Sequence, residues 1–296
     1  MYDIVVIGNP AYYENETMEL ASGAVYAAIT ASKLGVENVA FIGAVANDMR
    51  HQLVQIFDDH DIEFFLIDST ETNRLLVSLD IQGTRFANLV GARREIGIRD
   101  IPDEFMNANA ILLSPVLREV HTELIEWLSD SSDSMIFLDP RFRRIREDSR
   151  VRLMGNHRVV EEVLSLIDLV KTNRLESMII TGEEDPFLAV EMLVESGSDM
   201  AIVTLSEEGS IAFDGKDFYR IPAFRIKKGN EIGIGDSYLS SFAAMMLEER
   251  PIAECGAFAS AVASIVAEST VGPDFILERK EIQRRTDILL EGITVR

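Results

Sequence analysis

The stretch GNEIGIGDSYLSSFAAMM, residues 229–246, decides how the rest of the chain is read. Leu239, Phe242, Ala243 and Met246 recur at i, i+3, i+4 and i+7, the apolar stripe of a helix beginning near Gly235. Gly229, Gly233 and Gly235 make the run before it a flexible N-terminal turn. There Gly233 and Gly235 let the backbone adopt crowded conformations and let a ligand come close, while the first free N–H groups of the helix point outward with the positive end of its dipole. Such a turn suits an anion. Asp236, on the same turn, has two readings. It stabilises the helix start by about 0.3–1 kcal/mol through the dipole, or it accepts a proton from a hydroxyl nucleophile while neighbouring amides hold the charge of a transferred phosphoryl group. These four residues alone do not choose between them.

Outward from this turn, short β-branched runs alternate with amphipathic stretches: DIVVIG, GAVYAAITASKLG, NVAFIG and RHQLVQIFDDHD near the start, then AILLSP, HTELIEWLSD, SMIFLDP, VVEEVLSLI, DLVKTN, LAVEMLVESG and MAIVTLS. Strands that read as nearly continuous apolar runs between helices imply an α/β, doubly wound, mostly parallel sheet covered by helices on both faces. The segment from IEFFLID through NRLLVSLDIQGTRFANLVG breaks the rhythm with period-two alternation and a QGT turn. It reads either as an edge hairpin or as a small β lid, contributed mainly by about residues 10–20 and 62–91. No repeat, low-complexity tract or linker divides the chain, so residues 1–296 read as a single domain.

Composition excludes several functions. The 296 residues are 47% hydrophobic and carry a formal charge of −22, which argues against nucleic acid as a partner because binding by counterion release needs a basic stripe. An anionic substrate therefore needs local compensation from backbone amides, a few basic side chains or a divalent cation. The four histidines, His51, His60, His121 and His157, lack metal-ligand spacing. No window approaches the roughly 18 apolar residues of a membrane span, and the N-terminal stretch has no leader pattern, so a cytoplasmic protein with no membrane partner is expected. Cys255 lies in a helix-like apolar segment and reads as a core thiol.

NEIGIGDSYLSSF is similar to the signature of the ribokinase-like (PfkB-type) carbohydrate kinases, in which an Asp-Thr-x-Gly-Ala-Gly-Asp run opens a helix. KTNRLES at 171–177 resembles the family's Asn-x-x-Glu segment, VTLSEEGS at 203–210 its Thr-x-Gly-x-x-Gly nucleotide loop, and FLDPRFR at 137–143 its strand ending in Asp-Pro. ASGAVYAAITASKLG resembles the Gly-Gly helix of the acceptor site, and VAFIGAVANDMRHQL the turn that follows it. These elements occur in family order over nearly the whole chain. The resemblance implies transfer of the γ-phosphoryl group of ATP, or another nucleoside triphosphate, to a hydroxyl of a small metabolite with Mg²⁺. It makes Asp236 the general base and the amides of Gly233, Ile234 and Gly235 the anion hole. It gives Asn173 and Glu176 the orientation of phosphate and of the Mg²⁺ water shell, and gives Thr204, Ser206 and Gly209 the nucleotide cleft. Asn9, Tyr13, Ser22, Gly23 and Tyr26 fall at the acceptor pocket. Lid strands of the family often pair across a homodimer.

Departures from the pattern bear on specificity. Asn230 and Glu231 replace the Asp-Thr that opens the signature, and the Asp helps bind a monovalent cation in many members, so potassium activation is not expected here. Ser206 stands in place of the first glycine of the nucleotide loop, Ala21 and Ser22 in place of Gly-Gly, and Tyr26 where sugar kinases often carry Asn. Tyr13 stands where a sugar-clamping aspartate is usual; Asn9, Glu14 or Glu16 are the candidates to replace it. The pattern favours a nucleoside or cyclic polyol over a plain pentose or hexose. A ribokinase-like binding protein without turnover is the alternative. A Rossmann oxidoreductase needs Gly-x-Gly-x-x-Gly after the first strand, and IGNPAYY lacks it.

Overall fold

The structure is a computed structural model that describes residues 1–14, 18–20, 22–79, 85–91, 94–116, 119–140, 143–145, 151–153, 157–227, 229–269 and 272–296. In chain order the first strands and helices are β1 (Tyr2–Ile7), β2 (Ala11–Glu14), β3 (Met18–Leu20), α1 (Gly23–Leu34), β4 (Val39–Val45), α2 (Asn47–Asp59), β5 (Glu63–Asp68), β6 (Asn73–Leu79) and β7 (Arg85–Val90). The middle supplies β8 (Ala108–Leu113), α3 (Thr122–Ser131), β9 (Met135–Leu138), β10 (Arg143–Ile145), β11 (Val151–Leu153), α4 (His157–Leu164), β12 (Leu169–Asn173), α5 (Arg174–Thr181) and α6 (Pro186–Glu195). The last third supplies β13 (Met200–Thr204), β14 (Ser210–Phe213), β15 (Phe218–Ile221), α7 (Ile234–Leu247), α8 (Ile252–Glu268), α9 (Arg279–Leu290) and β16 (Thr294–Val295).

The large sheet runs β16-β15-β14-β13-β12-β9-β8-β1-β4-β5. Every pairing from β13 to β5 is parallel, and β14, β15 and β16 add an antiparallel flank. The continuous apolar strands have the expected cause. In β1, Ile4 and Val6 enter one core with α1, α7, α8 and α9, while Val5 and Ile7 enter the other with α3, α5 and α6. A strand covered on both faces has no polar face to display. Among the described residues, no helix is long and apolar enough to cross a membrane.

The second sheet has the order β3-β2-β6-β7. Its strand β2 leaves the C-terminal end of β1, and β6 follows the C-terminal end of β5, so both enter from the same edge of the large sheet. Here the structure departs from the sequence reading, which placed residues from 62 onward in the lid. β5 pairs in parallel with β4 from Ala40↔Glu63 to Val45↔Asp68 and closes the large sheet. Its alternation arises because it is an edge strand: Phe64 and Leu66 pack on the core, while Phe65 is 41% exposed. The QGT turn at 82–84 and Glu16 lie outside the described residues.

Candidate active site

In a parallel α/β sheet, ligands bind beyond the carboxyl ends of the strands, near the point where strand order reverses. β1 is that point here, with β4 on one side and β8 on the other. The carboxyl edge carries Asn9 just past β1, Ser114 past β8, Asp139 past β9, Asn173 at the end of β12 and Thr204 at the end of β13.

Asp236 meets this edge. α7 begins at Ile234, one residue earlier than the apolar spacing indicates, so Asp236 sits in its first turn, 2% exposed. Ser114 Oγ donates to Asp236 Oδ1 at 2.8 Å, joining the helix start to the end of β8. Beside it lies a buried cation that the sequence reading did not assign. Lys171 Nζ is 2.6 Å from Asp139 Oδ2, with side-chain exposures of 4% and 2%. Burial pushes the Lys171 ammonium down, but the charges of Asp139, Asp236 and Glu176 push it up further, and the net direction is up. Lys171 therefore remains charged. Its Nζ would stand 2.7 Å from a β-carbon placed on Gly235, so the ammonium touches the turn itself.

The turn is held from two sides. Gly233 caps α7 with φ +77°, a left-handed conformation, and a β-carbon there would fall 2.1 Å from Tyr26 Cδ1. A glycine cap brings no side-chain acceptor, so the first-turn amides receive no cap from it. On the other side Asn230 gathers carbonyls at the end of α8. Its backbone N–H donates to Ala267 O (2.8 Å), and its Nδ2 donates to Val266 O (3.0 Å) and Ser269 O (2.8 Å). Its Oδ1 accepts from Ile232 N at 2.8 Å, which fixes the chain entering Gly233.

Asn173 and Glu176 form a reciprocal capping box on α5. Asn173 Oδ1 accepts from Glu176 N at 2.9 Å, and Glu176 Oε2 accepts from Asn173 N at 3.0 Å. The three-residue spacing thus has a complete local cause, and the Glu176 carboxylate also acts electrostatically on Lys171. Thr204 pairs with Asn173 across β12 and β13, and its hydroxyl donates to Thr172 O at 3.2 Å. Ser206 adopts φ +53°, so it keeps the left-handed backbone a glycine usually supplies. Gly209 has φ +92°, and Ile221 O lies 2.0 Å from where its β-carbon would be. Close packing against β15 alone requires glycine at that position.

Of the residues placed at the acceptor pocket, Asn9, Ser22 and Tyr26 are buried and Tyr13 is half-buried. Asn9 is fully buried: its N–H donates to Glu119 Oε1, its Nδ2 to Arg94 O at 2.7 Å, and its Oδ1 accepts from Ala44 N at 2.8 Å. Ser22, also buried, donates to Asn9 O at 3.0 Å and precedes Gly23, the first residue of α1. Tyr26 is 2% exposed, stacks on Phe275, and its hydroxyl accepts from Gly272 N at 2.7 Å. Tyr26 also backs the Gly233 turn, its ring lying against the position a β-carbon on Gly233 would take. Tyr13 differs, being half-buried on β2 opposite Leu75 of β6. A cleft of about 610 Å³ lies between the start of α2 and the second sheet, lined by Asn47, Asp48, Glu71, Thr72 and Arg74.

Sequence reasoning missed Ser114, Asp139 and Lys171 as members of the site. The signal was available: each lies at or near the C-terminal end of an apolar run, where α/β sheets place functional side chains. Cys255 is the core thiol expected of its segment; it is fully buried, and burial pushes its thiol up to about 12.

A family model described as pfkB family carbohydrate kinase matches residues 23–274. The chain is 24% identical over 265 residues to a cytidine kinase of Thermococcus kodakarensis, covering 86% of this chain and 92% of that protein. It is 24% identical over 282 residues to a 5-dehydro-2-deoxygluconokinase of Clostridium botulinum, covering 86% and 83%. Among solved structures, a pyrophosphate-dependent kinase in the ribokinase family, complexed with a pyrophosphate analog and myo-inositol, superposes with TM-score 0.81 at 22% identity over 95% of this chain and 99% of that chain. A ribokinase from Thermotoga maritima superposes with TM-score 0.76 at 19% identity over 97% and 100%. The fold is therefore ribokinase-like, and the relatives support a kinase acting on a small metabolite. Because the family model runs from the start of α1 through the Gly-x-Gly-Asp turn to the segment beyond α8, this chain belongs to the pfkB family of carbohydrate kinases.

Proposed function

We propose that the chain transfers the γ-phosphoryl group of ATP or another nucleoside triphosphate to a hydroxyl of a sugar, sugar acid, cyclic polyol or nucleoside. The observation that carries this reading is Asp236, oriented by Ser114 on the first turn of α7 beside amides that no cap side chain covers. The acceptor oxygen forms a bond to the γ-phosphorus as the bond to the bridging oxygen breaks. That bond's electron pair leaves on the nucleoside diphosphate, and the hydroxyl proton passes to Asp236. The amides of Gly233, Ile234 and Gly235 hold the charge on the transferred group, in a reaction that depends mostly on positioning and neutralisation. The second sheet, leaving from the same edge as the site, serves as the lid.

Mg²⁺ suits this donor set only as a companion of the donor phosphates. Among the described residues no group of three or more His, Cys, Asp or Glu side chains is placed to hold a metal, and Glu176 contributes one carboxylate already engaged by Asn173 N. Glu176 would hold the ion through water, and the ion would supply charge neutralisation of the phosphates.

The test is a phosphotransfer panel with ATP, GTP, ADP and pyrophosphate as donors and sugars, sugar acids, polyols and nucleosides as acceptors. A nucleoside or cyclic polyol is expected to outperform ribose, fructose and glucose, because Tyr13 supplies aromatic surface where a diol clamp would need a carboxylate, and such a site discriminates by shape. A plain sugar with kcat/KM above about 10⁴ M⁻¹s⁻¹ would reverse the acceptor argument. Donor binding without transfer to any acceptor would favour the non-catalytic reading.

Asn230 gives a further expectation. Its amide N–H groups already satisfy the carbonyls of Val266, Ala267 and Ser269, so no cation is needed to gather them. Turnover should be the same with potassium, sodium or tetramethylammonium as the monovalent cation. Strong activation by potassium alone would contradict this reading.

A further inference from the structure

The Lys171–Asp139 pair is not explained by the fold. It lies inside a sheet whose neighbouring strands are apolar, with both side chains almost fully buried. Taking two charges out of water costs several kcal/mol per ion, and well-packed apolar residues of similar volume are often as stabilising or more so. A buried pair of this kind is weak evidence for stability. Its position suggests another use. Lys171 lies two residues before Asn173, the cap of α5, and its Nζ reaches Gly235 at the start of α7. One ammonium thus touches the anion turn and faces the carboxylates of Asp139, Asp236 and Glu176. The nearby Arg174 is half exposed and already paired with the exposed Glu208 at 2.7 Å.

We propose that Lys171 is a catalytic residue that contacts the terminal phosphoryl group of the donor, with Asp139 holding its ammonium at the Gly235 turn. The inference rests on the kinase reading of the site. Three carboxylates around the turn repel an incoming phosphate, and the chain as a whole carries −22, so the donor requires a fixed positive charge at the point of transfer. Lys171 supplies it without reorganisation, because Asp139 has already set its direction. The transfer step itself is unchanged: the proton still goes to Asp236, and the bond broken is that between the γ-phosphorus and the bridging oxygen. Lys171 neutralises charge on the non-bridging oxygens and takes no proton.

The test measures, for the full chain, thermal stability, ATP and ADP affinity by calorimetry, and phosphotransfer. The variants are Lys171→Met, Lys171→Arg, Asp139→Asn and the double variant Lys171→Met/Asp139→Asn, which removes both charges and leaves neither uncompensated. The double variant is expected to remain folded, to lose at least about tenfold more affinity for ATP than for ADP, and to transfer about 10²–10³-fold more slowly. Asp139→Asn and Lys171→Arg keep the positive charge and should keep the preference for ATP. A purely structural pair predicts that ATP and ADP affinities fall together, and that Asp139→Asn behaves like Lys171→Met. Either pattern overturns the proposal, as does a folded double variant within threefold of wild type in ATP preference and rate. Should the double variant not fold, loss of the ATP preference in both Asp139→Asn and Lys171→Arg overturns it, and its retention supports it. A wild-type protein that prefers ATP through Lys171 but transfers to no acceptor would refute the kinase reading, and with it the catalytic role of Lys171, while its contact with the terminal phosphoryl group would stand. A wild-type protein with no preference for ATP over ADP would refute the inference.

Discussion

Asp236→Asn is expected to lower turnover by about 10²-fold or more while donor binding survives. Asparagine has nearly the shape of aspartate, and its Oδ1 can still accept the 2.8 Å hydrogen bond from Ser114 Oγ. What it cannot do is take the acceptor's proton. A 10²-fold loss corresponds to about 2.7 kcal/mol of transition-state stabilisation, in the range of general-base contributions. The sign of the binding effect is a second check. Removing one carboxylate beside Lys171 makes the turn less negative, so ATP affinity should hold or rise as the rate falls. A purified Asp236→Asn variant with undiminished single-turnover phosphotransfer would rule out Asp236 as the base. A parallel loss of ATP affinity would show instead that the substitution had disturbed the turn.

Gly233→Ala should be strongly disruptive to the site. Two costs add at this position. A non-glycine residue held in a left-handed conformation costs about 1–2 kcal/mol, and Gly233 has φ +77°. The new β-carbon would also fall 2.1–2.4 Å from three atoms of the Tyr26 ring. That ring cannot withdraw easily, since it is 2% exposed, stacked on Phe275 and hydrogen-bonded to Gly272 N. Overpacking of a dense core costs about 1–3 kcal/mol, giving about 2–5 kcal/mol in all. The expected outcome is a melting temperature lower by at least several degrees. Any protein that stays folded should also lose about 10²-fold in turnover, because a displacement near 1 Å of the anion-holding amides is enough to do so. Trimming the ring in Gly233→Ala/Tyr26→Leu should recover part of the stability, leaving the left-handed strain. A Gly233→Ala variant with unchanged melting temperature and rate would mean that Tyr26 does not support the turn.

Much of this molecule is legible without coordinates because its signals are local. The continuous apolar runs follow from strands covered on both faces, and the stripe from Leu239 to Met246 places α7 within one residue of its observed start. The Gly-x-Gly-Asp turn announces its own conformation, since only glycine takes the left-handed backbone of position 233 without strain. The Asn173–Glu176 spacing is likewise a short-range fact, a capping box closed within four residues. Family order along the chain added the reaction class.

What the sequence could not show is which distant residues meet. Ser114 and Asp236 are 122 positions apart and Lys171 and Asp139 are 32 apart, and both contacts exist only because parallel strands in a particular order present their carboxyl ends along one edge. Asn9 and Ser22 are joined by hydrogen bonds to β4 and to each other, because buried polar groups must be paired, and those partners could not be read from the sequence. Tyr26 is fixed by Gly233 and Gly272, neither near it in sequence. β5 alternates like a lid strand and yet closes the large sheet, since period-two burial marks any strand with one open face, whichever sheet it joins. Chain periodicity thus determined the elements and the local turn chemistry, while strand order and long-range packing decided which charges face the turn from Gly233 to Asp236.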